Sequence, residues 1–198
     1  VGDDHVTVLA GKLKQNRSPP TRNVTVQHNT LLYGMGLSIG SSTAGGVSDV
    51  LYKNNVMTQE KGTQLGQGIH IKVRDKFGGY VRNIAWIDNV FNVAGAPGGA
   101  IKFESSYQSG NFKKKCTFET CTEVRDILVR NLTVKEGTPG HLGCFPARPC
   151  VNITFDNVRF DNQNARIGCT NVASGLAINN SPPQLFEKCK NLSTTNIK

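Results

Sequence analysis

A short strand-like pattern repeats along this chain, and it restricts the possible folds more than any other feature. The pattern is an Asn or Asp, then alternating apolar and polar residues, then usually a second Asn. Its five copies are NVTVQHN (23–29), VSDVLYKNN (47–55), VRNIAWIDN (81–89), VRDILVRNL (124–132) and VNITFDNV (151–158). Their first Asn or Asp residues lie 26, 34, 43 and 26 residues apart. This spacing indicates a solenoid in which each copy belongs to one coil.

A second alternating strand lies between the copies. It appears as GLSIGS (36–41), GIHIKV (68–73), AIKFES (100–105) and GLAINN (175–180). No stretch of the sequence shows sustained helical periodicity with helix caps. Two short strands per repeat, with alternation that places Val, Ile, Leu and Phe inside, predict an all-β chain folded as a right-handed parallel β-helix. A β-sandwich would explain the alternation, but it would not explain the constant order of the paired strands.

The recurrent Asn residues have a structural explanation within this fold. Asn tolerates the left-handed backbone conformation of tight turns and hydrogen-bonds its neighbours. At equivalent positions of stacked coils, such side chains are expected to form ladders. Each coil depends on its neighbours for its core, and an end needs a cap. Because the chain starts abruptly on a strand, we expect residues 1–198 to be a single β-helix domain, the C-terminal part of a longer catalytic domain.

The charge of the chain limits its partners. The formal net charge is +9, and the longest basic run is Lys113-Lys114-Lys115. A basic surface suits polyanions, including nucleic acid and acidic polysaccharide. Nucleic-acid binding normally comes with a recognisable module or with aromatic residues among the basic ones, and neither is present. No run of 18 apolar residues occurs, so a membrane span is not predicted.

All six cysteines lie in the second half of the chain. The simplest pairing is local, with Cys116–Cys121, Cys144–Cys150 and Cys169–Cys189, the last bridging a tail over residues 161–198. Zinc, with His141 nearby, is the alternative, but the spacing lacks a CxxC pair. Disulfides favour an oxidising compartment, and we expect a secreted, extracellular glycoprotein. The glycosylation sequons that agree with secretion begin at Asn16, Asn23, Asn131, Asn152, Asn179 and Asn191.

Four segments of the chain resemble one enzyme family. VGDDHVTV (1–8), YGMGLSIGSSTAGGVSDV (33–50), GIHIKVRDKFGGYVRNI (68–84) and IKFESSYQSG (101–110) have the order and spacing of polygalacturonase-like enzymes, glycoside hydrolase family 28. The resemblance runs from residue 2 to about residue 160. It implies a right-handed parallel β-helix that hydrolyses pectin-type polymers with inversion. We also expect a monomer without a cofactor or metal.

The resemblance also assigns candidate site residues. Asp3 and Asp4 match the paired aspartates of the family's GDD motif, one as general acid and one helping to activate water. Lys72 matches the lysine of an Arg-Ile-Lys motif that binds the substrate carboxylate, and Tyr107 resembles a tyrosine that lines the cleft. A third aspartate, in an Asn-Thr-Asp motif, is expected about one coil upstream, so residues 1–198 alone should be inactive.

Two positions depart from the family pattern. Met35 stands where the family usually has a histidine between two glycines, and a thioether cannot transfer protons or bind a carboxylate strongly. His70, a candidate substrate-binding residue, stands where the motif has arginine. Histidine is shorter, cannot form a bidentate pair with a carboxylate, and is largely neutral at pH 7. These changes predict a different substrate preference or reduced activity.

The geometry of the acids and the lysine can be tested. On a regular strand Asp3 and Asp4 would point to opposite faces, so a bend near Gly2 is needed for both to reach one cleft. Two close carboxylates would raise the pKa of one, as a general acid requires. Lys72 should face outward if Ile69, Ile71 and Val73 face inward. The basic residues expected along the same cleft are Lys72, Arg74 and Lys76.

The predicted function is a secreted hydrolase that acts on galacturonan or a related uronate polymer, an acidic polysaccharide. Two alternatives remain open. One is a rhamnogalacturonan or exo-acting hydrolase on the same scaffold, which Met35 and His70 would suit. The other is a catalytically impaired β-helix that only binds polysaccharide. A pectate lyase is disfavoured, because lyases need an acidic calcium-binding cluster that the sequence lacks.

Overall fold

The computed structural model describes residues 3–12, 18–59, 66–75, 77–93, 98–107, 116–173 and 175–189. Several sequence predictions lie outside these ranges. They are the bend at Gly2, the cleft residue Lys76, the basic run Lys113-Lys114-Lys115, and the sequons at Asn16 and Asn191.

Six short parallel strands form one face of the molecule, called sheet A here. Each strand pairs in register with the next coil's strand: Val6 aligns with Leu37, Leu37 with Ile69 and Ile69 with Ile101. In spatial order the strands are β1 (Val6–Val8), β4 (Leu37–Ser41), β7 (Ile69–Val73), β10 (Ile101–Glu104), β12 (Gly140–Gly143) and β14 (Gly168–Thr170). A given position on sheet A therefore forms a row running along the solenoid.

The remaining strands form a second parallel sheet, sheet B, that completes each coil. Its strands are β2 (Thr21–Gln27), β3 (Thr30–Leu32), β5 (Val47–Lys53), β6 (Val56–Gln59), β8 (Tyr80–Ile87), β9 (Val90–Val93), β11 (Glu123–Glu136), β13 (Val151–Phe160) and β15 (Leu176–Asn179). The longest, β11, pairs through its first half with β8 and through its second half with β9. The prediction of an all-β, right-handed parallel β-helix is confirmed. Connections between parallel strands of one sheet are almost always right-handed, and the successive coils follow this rule.

The number of strands per coil differs from the prediction of two. Each of the first three coils has a third short strand, β3, β6 or β9, after the strand that carries the repeat. A residue with positive φ separates them: His28 (φ 58°), Asn54 (φ 53°) and Asp88 (φ 57°). A single residue is enough to turn the chain, so the alternation of apolar and polar residues continues across the turn. The two strands therefore look like one strand in the sequence.

The predicted ladder of Asn and Asp side chains is present. The first polar residue of every repeat has a left-handed backbone, with φ between 53° and 58°. Asn83 donates to Asp49, and Asn152 donates to Asp126, each across one coil. A second ladder is inside the solenoid: Asn55 donates to Asn89 Oδ1 at 3.1 Å and accepts from Asn29 at 2.9 Å. Left-handed positions and stacking together explain why Asn recurs.

The core is a column of apolar rows between the sheets. Leu37, Ile69 and Ile101 are fully buried in one row of sheet A, and Trp86 is fully buried on sheet B. Several inward residues of the first coil are only partly buried, because no further coil among the described residues stacks on them; they include Val6, Val24, Val26 and Leu31. Alternation on sheet A leaves the other rows, which are polar, on its outer face.

The disulfides have the predicted pairing, Cys116–Cys121, Cys144–Cys150 and Cys169–Cys189. The last joins β14 to the segment after a four-residue 3-10 helix, Pro183–Phe186. Strands β14 and β15 still pair with β12 and β13, so coil stacking continues beyond residue 161. In the described ranges no helix is long and apolar enough to cross a membrane.

Replacing Asn89 with Ala is expected to lower the free energy of unfolding by about 1–3 kcal/mol. Asn89 is 1% exposed, and its loss leaves the buried backbone N–H and amide of Asn55 without their acceptor. Urea unfolding measures the change, with Asn164→Ala on the exposed surface as the matched control. Equal stability of the two variants would contradict a stabilising role for the internal ladder.

Candidate active site

The outer face of sheet A brings the GDD segment against residues far along the chain. Asp3, Asp4 and His5 precede β1, which begins at Val6, so the alternation of a regular strand does not constrain the two aspartates. In the next strand Ser38 lies in register with His70, one strand further on. Ser38, His70 and Lys72 alternate with Leu37, Ile69 and Ile71, which face the core. Lys72 therefore faces the aspartates.

Asp4 and Lys72 form a buried ion pair, although 68 residues separate them. Lys72 Nζ contacts Asp4 Oδ2, and each side chain is only 9% exposed. The other carboxylate oxygen accepts a hydrogen bond from Ser38 Oγ at 2.7 Å. Beneath it, Tyr52 Oη donates to the Ser38 carbonyl at 2.9 Å. Burial raises the pKa of Tyr52 above its ordinary value, so Tyr52 remains a donor. Asp4 is thus held by groups from the two following coils.

Asp3 differs from Asp4 in its surroundings. It is exposed, and its carboxylate accepts the backbone N–H of Asp4 at 2.8 Å. The backbone N–H of Met35 donates to the Asp3 carbonyl at 2.9 Å, which places Met35 next to the acids. His5 Nδ1 accepts from the Gly36 N–H at 3.1 Å. Desolvation lowers the pKa of His5, so this imidazole is neutral and ties the GDD segment to the Gly34-Met35-Gly36 turn.

His70 is buried beside two charged side chains of the next coil. Its Nε2 lies 3.4 Å from Glu104 Oε2, and Lys102 Nζ lies 2.8 Å from the same oxygen. The pKa of Glu104 is lowered to about 2, first by the hydrogen bond with His70 and further by Lys102, so the carboxylate is ionised. Desolvation lowers the pKa of His70. The neutral imidazole therefore donates its Nε2–H to Glu104.

Tyr107 follows β10, three residues after the strand ends at Glu104, and its ring lies near His70 and Lys72. Its ring stands nearly perpendicular to the His70 ring, with centroids 5.8 Å apart, and Lys72 Nζ is 5.2 Å from its centroid. The backbone N–H of Tyr107 donates to the Val73 carbonyl at 3.1 Å, which fixes the backbone position from which the side chain extends. The Arg74 guanidinium is 5.7 Å from the centroid of the same ring. A cation near the face of an aromatic ring is attracted by the electrons of that ring.

The structure thus brings together Asp3, Asp4, Lys72, His70 and Tyr107, with Arg74 beside them. Sequence reasoning missed four residues that support the site, namely Ser38, Tyr52, Lys102 and Glu104. Ser38 and Glu104 could have been found from register, because the aligned strands place Ser38 next to His70 in the same row and Glu104 next to Lys72. Tyr52 gave no signal, because it alternates as an ordinary core residue.

A metal does not account for this arrangement among the described residues. No group of three His, Cys, Asp or Glu side chains there could hold an ion. All six cysteines are in disulfides, which removes the zinc alternative that involved His141. Instead, the site offers two carboxylates of different exposure, one buried ammonium, one neutral imidazole and one phenol ring.

The model of the family described as "Glycosyl hydrolases family 28" matches residues 1–197. The chain belongs to this family. The resemblance noted from the GDD and His-Ile-Lys segments is confirmed, and family 28 membership covers the whole solenoid.

Individual relatives match parts of the chain. A polygalacturonase of Ralstonia solanacearum is 44% identical over 85 residues, which are 43% of this chain and 15% of that protein. An exo-poly-alpha-D-galacturonosidase of Dickeya chrysanthemi is 28% identical over 160 residues, 79% of this chain and 24% of that protein. The solved family 28 exopolygalacturonase of Yersinia enterocolitica aligns with 90% of this chain and 34% of its own, at 18% identity and a TM-score of 0.47. The chain thus spans less than a quarter of these curated relatives' length.

Acid is expected to destabilise the family 28 coils through Glu104. Its pKa is about 2 against an ordinary 4.5, so its contribution to stability is complete above pH 4.5 and is lost as pH falls toward 2. His70 acts in the same direction below pH 6.5, because its pKa is lowered and the unfolded state binds the proton more readily. We expect Glu104→Gln to flatten the lower part of this dependence. Urea unfolding at several pH values measures it, and identical slopes would contradict the assignment.

Proposed function

We propose that the protein carrying this chain hydrolyses α-1,4-linked galacturonan or a related pectin-type uronate polymer by inverting acid/base catalysis. The observation that supports this most directly is the buried Asp4–Lys72 pair, with Asp3 on one side and Tyr107 on the other. It combines carboxylates, a cation and an aromatic ring on one open face. Family membership and the names of the two curated relatives support the same chemistry.

The two aspartates are proposed to take different roles. Both Asp4 oxygens accept hydrogen bonds, one from Lys72 and one from Ser38, which fixes the carboxylate in the position proposed for a general base. Asp4 would take a proton from water as that water attacks the anomeric carbon. Asp3 would give its proton to the glycosidic oxygen as the bond breaks, and inversion follows from attack on the opposite face. A further carboxylate from an upstream coil is proposed to share the activation of water.

Substrate binding is proposed to involve Lys72, His70 and Tyr107. The Tyr107 ring provides a flat apolar surface next to the Lys72 ammonium, which suits a sugar ring with a polar substituent. His70 is neutral and already donates to Glu104, so it offers no positive charge of its own to a uronate carboxylate. Lys72 and Arg74 are the cations next to the Tyr107 ring.

The neutral His70 also supports a second candidate function. This candidate is an exo-acting or a rhamnogalacturonan-type hydrolase, and the second of these would need less carboxylate recognition next to the cleaved bond. The Dickeya relative carries an exo-acting name, which agrees with the first form. We further propose a secreted, extracellular location, which the three disulfides support because they favour an oxidising compartment. A monomeric state and glycosylation are part of the same proposal.

A substrate comparison tests the proposal. The natural full-length protein is incubated with polygalacturonate, highly methyl-esterified pectin and rhamnogalacturonan, and new reducing ends are counted while product length is followed. Release of short oligomers from polygalacturonate supports endo-hydrolysis, and release of one small product from the start supports exo-action. Binding of these polymers without release of reducing ends would contradict hydrolysis and favour a polysaccharide-binding β-helix.

A further inference from the structure

The outer face of sheet A continues past the proposed active site. Strands β10, β12 and β14 extend it by three coils beyond β7. Their outward residues are polar or glycine, whereas their inward neighbours Ile101, Phe103 and Leu142 are buried. The outward positions are Lys102, Glu104, His141, Gly143, Gly168 and Thr170. The proposed acid/base chemistry uses none of the last four.

His141 is an exposed aromatic ring in a fixed position on this face. Its Nε2 shares a 3.0 Å hydrogen bond with Thr170 Oγ1 on the neighbouring strand. The ring lies against two glycines: a Cβ atom at Gly168 would come within 2.5 Å of its Nδ1, and one at Gly143 within 3.2 Å of its Cδ2. The pKa of His141 is lowered, first by desolvation and then by the charge of Lys102, so the ring is neutral near pH 7.

The His141 ring is aligned with the proposed active site. His141 is in register with Lys102, and Lys102 is in register with His70. Adjacent strands are about 4.8 Å apart, so His141 lies roughly 10 Å from His70 along the sheet. A polysaccharide crossing the strands from Asp4 would pass over Lys102 and reach His141. Gly143 on the same strand and Gly168 on the neighbouring strand add no side chain next to the His141 ring.

We propose that His141 and Thr170 form a remote sugar-binding platform for the same polymer. The neutral ring offers a flat face to the C–H side of a sugar, and the Thr170 hydroxyl and the imidazole nitrogens offer hydrogen bonds to its hydroxyl groups. The platform binds a unit away from the cleaved bond, so it increases binding of long chains more than of short ones. This inference rests on the proposed hydrolase function and names a further part of the same binding face.

The test compares substrates of different length. In the full-length protein, kcat/KM is measured for polygalacturonate and for the shortest oligomer that is cleaved. His141→Ala is expected to lower the ratio of the two values about five- to tenfold, the loss of one aromatic contact. Thr170→Val, which keeps the side-chain volume, should lower it less. The matched control is His28→Gly, at an exposed histidine between β2 and β3 whose left-handed backbone (φ 58°) Gly tolerates.

Each outcome decides a separate point. An unchanged ratio in His141→Ala, or an equal loss on both substrates, overturns the platform and leaves the hydrolase intact. If the wild-type protein cleaves none of the polymers, the proposed hydrolase function fails instead. Binding of polygalacturonate in affinity electrophoresis then tests the platform alone. Weaker binding by His141→Ala than by His28→Gly supports it, and equal binding overturns it.

Discussion

Replacing Asp4 with Asn is expected to lower kcat on polygalacturonate roughly 10³-fold, the scale of a lost general base. The substitution keeps the shape of the side chain but removes the charge that faces Lys72 and the oxygen that would accept a proton from water. Because the proposed loss is in the chemical step, KM should change far less than kcat. Initial rates of reducing-end release by the full-length protein measure both constants.

The control for this prediction uses the same ion pair. Asp4→Asn leaves the Lys72 ammonium buried without its partner, which costs on the order of 3 kcal/mol of stability. Stability alone could therefore mimic a catalytic effect. The double variant Asp4→Asn/Lys72→Met removes both charges, so it should regain most of the lost stability. Its kcat should stay as low as that of Asp4→Asn and well below that of Lys72→Met alone, which accounts for the loss of Lys72 from substrate binding. Activity that returns together with stability in the double variant would show that Asp4 is structural.

The fold was predictable because local chemistry sets it. Alternating strands, and Asn at positions that need a left-handed backbone, identify the coils from one sequence, and short cysteine separations identify the bridges. The third strand of the early coils was not predictable. Residues such as Asn54 and Asp88 turn the chain without a Gly or Pro to mark the break, so each strand pair reads as one continuous pattern.

The site was predictable only where the chemistry-bearing residues carry a motif. Asp3, Asp4 and Lys72 belong to recognisable segments, whereas Glu104 stands in a strand where an outward carboxylate is ordinary. Its effect on His70 depends on register between β7 and β10, a property of coil stacking that no short segment contains. The idea of a basic cleft was also incomplete, because Lys72 and Lys102 each already contact a carboxylate.

Replacing Trp86 with Ala is expected to cost about 3–5 kcal/mol of stability, the range for deleting a buried aromatic side chain. Trp86 is fully buried and stacks on Tyr52, with ring centroids 5.2 Å apart and planes 8° from parallel. The same Tyr52 donates to the Ser38 carbonyl, and Ser38 Oγ holds Asp4. A cavity under Tyr52 should therefore loosen the support of Asp4 and lower kcat as well as the free energy of unfolding.

Matched variants separate packing from the hydrogen-bond chain. Trp86→Phe keeps a ring against Tyr52, and it removes an indole N–H that is buried without a partner among the described groups, so its stability loss should be smaller. Tyr52→Phe keeps the stack but removes the bond to Ser38, so kcat should fall by more than its small stability loss explains. Urea unfolding and initial rates on the full-length protein give both quantities. If Tyr52→Phe leaves kcat unchanged while Trp86→Ala lowers it, the core acts on Asp4 through general packing, and the Tyr52–Ser38 connection is excluded as the route.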